Sequence, residues 1–229
     1  MGYLFGICVE KNSELTPPDE RRKYKYRVVF HGGRVKDQNW EAAVFQELGS
    51  SPANMEASKM TDMYGMCKGH SVQSADAEQA YVQAELKGPT TWVALPPEAW
   101  EPEWKGMTCP VVILKRALYG HPDSGTYWEE HCDKAVKKQG FETIDNWPSC
   151  YWHKKKKLFL SIYVDDFKMS GPASEIEPMY EALGQGLKLE RQLDGKYGKD
   201  VGLYLGCKHE VDEVCLPNGV MAKRMTYNM

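Results

Sequence analysis

The clearest pattern of apolar and polar positions lies at residues 158–171, where an apolar run meets two adjacent carboxylates and then resumes. Residues 158–164 have the length and composition of a buried strand, and residues 167–170 begin a return strand. Asp165 and Asp166 fall between them, where a tight turn is needed. The pattern therefore predicts a β-hairpin with both acids in its turn.

The adjacent acids have two interpretations. Asp is common in turns because it tolerates turn geometry and hydrogen-bonds its own backbone. Alternatively, the pair binds divalent cations, but a catalytic pair of hard cations needs further oxygen ligands from a separate strand. The hairpin alone leaves both interpretations open, and a third carboxylate would favour the second.

Other periodic segments predict the remaining elements. The predicted strands are residues 3–9, 23–30, 72–76, 92–95, 111–118 and 150–153, with a last group around 201–211. The predicted helices begin near Ser51, Glu78, Ser124 and Ser174, with Ser124 expected to cap the third. The first helix carries a methionine stripe that is expected to face the core: Met55, Met60, Met63 and Met66.

Composition limits the function classes. The 229 residues suffice for one large or two small domains, and the net charge of -3 gives no global basic signature for nucleic-acid binding. The seven cysteines show no paired spacing, which opposes a disulfide framework and favours an intracellular protein, cytoplasmic, nuclear or both, that is not secreted. No apolar run approaches a membrane span, so we expect a soluble protein without a membrane partner.

A dense basic run interleaved with aromatic residues occupies positions 21–27, at the start of the second predicted strand. Charge runs commonly form a solvated face. The alternative is contact with phosphates, by point charge from lysine and by bidentate hydrogen bonding from arginine. The run alone does not decide between them.

A third carboxylate, Asp76, ends the predicted strand 72–76 and is followed five residues later by Tyr81. An acid at a strand end and an acid pair on a distant hairpin are the ligands that a polymerase palm requires. There, two Mg²⁺ ions activate a primer 3′-hydroxyl and neutralise the triphosphate.

The motifs, taken in order, resemble the reverse transcriptase domain of copia-type (Pseudoviridae) retrotransposon Pol polyproteins. The similar stretches are the basic hairpin at 5–32, Asp76 to Tyr81, Leu114 to Gly120 with Trp128, the signature Tyr163-Val164-Asp165-Asp166, and a primer-grip-like stretch from Tyr204 to Cys207. They cover nearly the whole chain, and five motifs in the right order are far more specific than any one of them.

The resemblance implies an α+β fold with the fingers and palm of a right-hand polymerase, in which an antiparallel palm sheet carries helices on one face. Residues 1–71 would form a fingers-like segment and residues 72–211 the palm, with some fingers elements interleaved. Residues 212–229 would be the start of a thumb or a truncated tail. We therefore expect a fragment, with the rest of a Pol polyprotein as a partner.

The resemblance also implies RNA-directed DNA polymerisation by nucleotidyl transfer. Asp76 and Asp165 would be the principal ligands of two Mg²⁺ ions, with Mn²⁺ as a substitute, and Asp166 would complete the acidic cluster. Tyr81 resembles the aromatic gate that excludes a ribonucleotide 2′-hydroxyl. The alternative is that Tyr81 simply packs under its helix.

The partners implied are an RNA or DNA template–primer duplex and deoxynucleoside triphosphates. Lys25 and Arg27 are expected to grip the triphosphate. The register of the basic hairpin leaves Arg22 or Lys23 as substitutes.

One stretch departs from the family pattern. Family members usually have Leu-Lys-Gln-Ala-Pro-Arg after Leu-Tyr-Gly, whereas residues 121–126 read His-Pro-Asp-Ser-Gly-Thr. The stretch lacks the Gln and both cations expected to face nucleotide or template, and Asp123 would repel phosphate unless it serves at the helix entry. A catalytically inactive remnant, or a domesticated nucleic-acid-binding domain of the same fold, is therefore the alternative function.

Overall fold

The computed structural model describes residues 1–45 and 50–228. The strands in these ranges are β1 (Gly2–Lys11), β2 (Lys23–Phe30), β3 (His70–Asp76), β4 (Trp92–Ala94), β5 (Val111–Ile113), β6 (Glu142–Ile144), β7 (Trp147–His153), β8 (Leu158–Tyr163), β9 (Asp166–Pro172), β10 (Lys199–Asp200), β11 (Leu203–Tyr204), β12 (Cys207–Cys215) and β13 (Met221–Asn228). The α-helices are α1 (Met55–Gly65), α2 (Ala80–Gln83), α3 (Ser124–Lys138) and α4 (Ala173–Leu183). Among the described residues, no helix combines the length and apolar character needed to cross a membrane.

Contacts divide the chain into two units. The first comprises Met1–Gly49 and Tyr81–Trp128, and the second comprises Ser50–Ala80 and Glu129–Met229. The expected division into segments 1–71, 72–211 and 212–229 stays a prediction.

The first unit is built on a four-stranded sheet in the order β2-β1-β4-β5. The predicted long-looped hairpin is confirmed, because β1 and β2 pair antiparallel from Leu4 opposite Phe30 to Lys11 opposite Lys23. Phe30 and Val93 anchor its core. Towards the loop, most residues on both faces of the hairpin are exposed.

The second unit contains a six-stranded sheet in the order β10-β3-β9-β8-β7-β6, and every neighbouring pair is antiparallel. An α+β fold with an antiparallel sheet is thus confirmed. β8 is buried from Leu158 to Ile162, which means that both of its faces are covered. Its continuous apolar run was therefore a sound signal for a central strand.

Two helices of this unit cover opposite faces of that sheet. On α1, Thr61 Oγ1 lies 2.9 Å from Ser161 Oγ of β8. On α4, Tyr180 packs near the Gln73 side chain and its hydroxyl donates to the Gln73 carbonyl at 3.0 Å. Gln73 aligns through β9 with Leu160, which adjoins Ser161 and so points to the other face. The expectation of helices on one face is wrong, because central strands buried on both faces need cover on both.

The methionine stripe on α1 does not face the core. Met55, Met60 and Met63 are 59%, 40% and 56% exposed. The residues of α1 that are buried are small or polar: Ala57, Ser58, Thr61, Asp62 and Gly65. The sheet beneath α1 offers the polar Ser161 and Lys168 beside the apolar Cys150 and Phe159, and the small and polar side chains of α1 pack on it while the methionines face outwards.

The C-terminal segment forms a three-stranded sheet in the order β11-β12-β13. β12 and β13 pair antiparallel throughout, from Lys208 opposite Asn228 to Cys215 opposite Met221. The strands predicted around 201–211 are β11 and β12, and β12 extends beyond residue 211 and pairs with β13.

Candidate active site

A two-residue turn, Val164 and Asp165, joins β8 to β9. Tyr163 and Asp166 are the last paired residues on either side of it. Placing Asp166 in the turn was wrong by one residue, because its pairing with Tyr163 already belongs to the strand. Val164 has a φ of 55°, a left-handed conformation that β-branched residues rarely adopt. The surrounding structure must therefore impose the turn.

Asp76 and Asp166 are directly opposed across β3 and β9. Opposed residues on antiparallel strands present their side chains to the same face. The backbone N–H of Ala77 donates to the carbonyl of Asp165 at 2.7 Å, which ties the turn to the end of β3. The structure thus brings Asp76, Asp165 and Asp166 to one end of these strands.

The electrostatics of this end are dominated by carboxylates. Burial raises the pKa of Asp166 to about 7, helped by the charges of Asp165 and Asp76 and by a hydrogen bond with Asp76. The positive charge of Lys199 acts in the opposite direction. A cation that approached the three acids would relieve the repulsion between them.

Lys199, on β10, contacts the carboxylate of Asp76. Within residues 1–45 and 50–228, no three acidic, histidine or cysteine side chains already stand in a geometry that could hold a metal ion. The contact with the lysine ammonium compensates the negative charge of Asp76. Sequence reasoning missed Lys199, and no motif in its neighbourhood indicated the contact.

The predicted nucleotide-contacting residues belong to the first unit. The ring centroids of Tyr81 and Tyr119 are 4.6 Å apart at an interplanar angle of 61°. Arg27 Cζ lies 6.0 Å from the centroid of the Tyr119 ring. Lys25 is two residues from Arg27 on β2 and therefore shares its face. Tyr119, for which no role was predicted, thus lies beside both Tyr81 and Arg27.

Tyr81 also packs against a small core formed by Ala84, Ala117 and Tyr127. This packing is compatible with the contact to Tyr119, so the geometry is consistent with Tyr81 as an aromatic gate and with Tyr81 as a packing residue. Arg22 is engaged elsewhere, because its guanidinium donates to both carboxylate oxygens of Glu10 at 2.9 Å. Among the substitutes for a triphosphate grip, Arg22 is therefore the weaker one.

The departing stretch 121–126 is packed into the first unit. The His121 ring centroid lies 5.0 Å from that of Phe30 and 5.4 Å from that of Phe45. Burial lowers the pKa of His121, and the charge of Asp123 opposes this shift. His121 therefore acts as a neutral packing residue in this arrangement.

The entry to α3 differs from the expected cap. The helix begins at Ser124, and the Ser124 hydroxyl donates to the Leu118 carbonyl at 2.7 Å instead of capping. Asp123 precedes the helix, and its carbonyl accepts the Tyr127 N–H at 3.2 Å. Ser124 thus fixes the preceding loop, and Asp123 stands at the helix entry, as the alternative interpretation held.

Sequence reasoning also missed a buried ion pair close to the acids. Lys168, two residues after Asp166, lies 2.6 Å from the Asp62 carboxylate, and both side chains are 0% exposed. The signal was present, since a charged residue inside the apolar run of β9 implies a buried partner.

Three carboxylates, from a strand end and a neighbouring hairpin, thus lie at one end of the second unit's main sheet. A family model described as "Reverse transcriptase (RNA-dependent DNA polymerase)" matches residues 11–214. The chain belongs to this reverse transcriptase family.

Proposed function

We propose that the chain is the RNA-directed DNA polymerase module of a copia-type retrotransposon, in which Asp76, Asp165 and Asp166 form the catalytic centre. The observation that carries the proposal is the register of β3 and β9, which sets Asp76 opposite Asp166 with Asp165 in the adjoining turn. The signature Tyr163-Val164-Asp165-Asp166 and the order of the other motifs support the copia-type assignment.

The three acids would hold two Mg²⁺ ions, or Mn²⁺. The grouping of the acids supports this fit, because burial and then the charges of Asp165 and Asp76 raise the pKa of Asp166, and a cation between the acids would relieve their repulsion. When bound, two such ions activate a 3′-hydroxyl and neutralise the triphosphate and its leaving group. Lys199 would have to leave the Asp76 carboxylate for Asp76 to become a ligand.

Tyr81 would exclude the 2′-hydroxyl of a ribonucleotide, and Lys25 with Arg27 would bind the triphosphate. The contact between Tyr81 and Tyr119 supports this role. A Tyr81 ring that packs against a second ring is less able to move aside for a 2′-hydroxyl. The position of Arg27 beside Tyr119 places a cation near the same aromatic pair.

The substrates would be an RNA or DNA template–primer duplex and deoxynucleoside triphosphates. With a net charge of -3, the chain has to bind the duplex through local basic patches such as residues 21–27. Its affinity should then fall steeply with salt concentration.

A second function, nucleic-acid binding without turnover, is favoured by the stretch 121–126. His121 is buried between two aromatic rings, and the Gln and cations that family members usually carry there are absent. A domain with this stretch could keep the fold and the basic hairpin while losing the nucleotide contacts.

Deoxynucleotide incorporation on a primed homopolymer RNA template with Mg²⁺ or Mn²⁺ tests the proposal. The control is the double variant Asp165→Asn, Asp166→Asn. Incorporation by the wild-type chain that the control abolishes would support polymerisation. Salt-sensitive binding of the duplex without incorporation would support the second function instead.

A further inference from the structure

A cluster of buried polar side chains connects the C-terminal sheet to the second unit's main sheet. It consists of Asp62 on α1, Lys168 on β9, Tyr204 on β11, His209 on β12 and Tyr227 on β13. Lys168 and Asp62 are 0% exposed, and their charged groups are 2.6 Å apart. We refer to these five residues as the Asp62–Lys168 cluster.

Each strand of the C-terminal sheet contributes one residue to the ion pair. The Tyr227 hydroxyl donates to Asp62 Oδ2 at 3.0 Å. His209 Nδ1 lies 3.8 Å from the same oxygen. The Lys168 ammonium lies 4.6 Å from the centroid of the Tyr204 ring, a cation–π distance.

These contacts matter because side chains, and not strand pairing, connect the two sheets. No strand of β11-β12-β13 joins the six-stranded sheet in the described part of the chain. A two-stranded hairpin such as β12-β13 is marginally stable by itself in water. Its position relative to the main sheet therefore depends on side-chain contacts.

The cluster also adjoins the candidate catalytic strand. Lys168 and Asp166 are two residues apart on β9, so their side chains share one face. Tyr204, whose ring receives Lys168, also has its hydroxyl 3.5 Å from the Asp166 carbonyl oxygen. A displacement of β11 would thus change the surroundings of both residues.

A buried ion pair is a weak source of net stability, because desolvation of the two charges offsets their attraction. Hydrophobic side chains of similar size could fill the same space. Hydrophobic side chains, however, could neither accept a hydrogen bond from the Tyr227 hydroxyl nor place a cation against the Tyr204 ring. The pair is therefore better suited to fixing a geometry than to adding stability.

We propose that Asp62 and Lys168 are positioning residues, which lock the β12-β13 hairpin in one place beside the strand that carries Asp166. Ser58, also on α1, completes the arrangement by accepting a hydrogen bond from Lys168 at 3.1 Å.

Amide hydrogen exchange on the full chain tests this directly. The double variant Asp62→Leu, Lys168→Met replaces the pair by apolar side chains, so that no unpaired charge remains and the urea midpoint is expected to stay close to that of the wild type. The amides of β12 and β13 are expected to exchange at least about tenfold faster, with those of β3 and β8 unchanged. Unchanged exchange in the hairpin, or equal acceleration in all strands, would overturn the proposal.

A matched control lies in the same hairpin. Arg224 and Asp212 form an exposed ion pair, with Arg224 Nε 3.0 Å from Asp212 Oδ1, so Asp212→Leu with Arg224→Met should leave hairpin exchange unchanged. If the first double variant fails to fold, Tyr227→Phe tests the proposal instead. It removes only the hydroxyl that donates to Asp62 and should still accelerate exchange in β13.

A kinetic measurement adds a readout that rests on the proposed function. Loosening the hairpin should raise the KM for template–primer more than it lowers kcat. If the wild-type chain incorporates no nucleotide, the polymerase proposal fails, whereas the exchange measurement still decides on the positioning role.

Discussion

The ammonium of Lys199 contacts the carboxylate of Asp76, although the two residues are far apart in sequence. The contact forms because β10 pairs with β3, with Lys199 opposite Ser74. One member of the acidic cluster therefore already has a positive partner from its own chain.

Removing this partner should strengthen cation binding. In Lys199→Met, Asp76 loses the ammonium that would compete with a metal ion, so we expect the Kd for Mn²⁺ to fall about threefold to tenfold. Titration followed by the electron paramagnetic resonance of free Mn²⁺ measures it. Lys196→Met is the control, because Lys196 pairs with Glu177 at 3.3 Å and not with the acids. Equal Kd values for wild type and Lys199→Met would count against cation binding at Asp76.

Stability should depend on pH through Asp166. Its pKa is raised to about 7 in the folded chain, against about 3.9 in an unfolded one. The folded state binds the proton more tightly, so the contribution of Asp166 is fully present below about pH 4 and is lost as the pH rises through about 7. In the presence of a chelator, the urea midpoint should therefore decline less over this range for Asp166→Asn than for the wild type.

Divalent cations should offset this loss of stability at higher pH. Mg²⁺ is expected to raise the wild-type urea midpoint at pH 8, where the carboxylates are charged, more than at pH 5. Identical pH profiles for wild type and Asp166→Asn would show that this carboxyl does not titrate as described.

Tyr81→Ala should admit ribonucleotides. Without the ring, the space for a 2′-hydroxyl opens, and the preference for deoxynucleotides should fall by about tenfold or more. Parallel single-nucleotide incorporation assays with the two nucleotide classes give the ratio. Tyr24→Ala in the same unit, where Tyr24 is 78% exposed, serves as the control. If Tyr81→Ala still discriminates against ribonucleotides, the role of Tyr81 is limited to packing.

Gly120 should not tolerate a side chain. It has a φ of +87°, and an added Cβ would lie 2.1 Å from the Phe30 carbonyl oxygen. Gly120→Ala is therefore expected to lower the free energy of unfolding by about 2 kcal/mol or more. The matched variant Gly33→Ala meets no atom within 4 Å and should change stability little. Urea denaturation of both variants provides the comparison.

The sequence predicted best where the periodicity of apolar residues reflects a strand. The β1-β2 hairpin, β3 and β8 follow the alternating or continuous apolar patterns that identified them. The sequence predicted that Asp76 and the hairpin acids come together, but it placed Asp166 in the turn, so the pairing of Asp166 with Asp76 was not predicted. By contrast, the predicted strand 111–118 contracts to Val111–Ile113, since the pattern does not mark where pairing stops.

The sequence predicted less well which face of a helix is buried. The methionines of α1 satisfied the helical period, but the sheet face beneath the helix carries the polar Ser161 and Lys168 beside Cys150 and Phe159, and Asp62 is buried in place of the methionines. The partner surface decides which face of a helix is buried, and this surface comes from strands distant in sequence. The same holds for Lys199, whose contact with Asp76 depends on the pairing of β10.

The left-handed conformation of Val164 has a consequence for how the motif can be studied. A β-branched residue does not choose this conformation in a free peptide, and the two-residue turn that it forms is disfavoured unless neighbouring strands hold it. A synthetic peptide spanning residues 158–171 should therefore fail to reproduce the arrangement of the acids. The four-residue signature identifies the site in the sequence, whereas the arrangement of its acids depends on the neighbouring strands of the second unit.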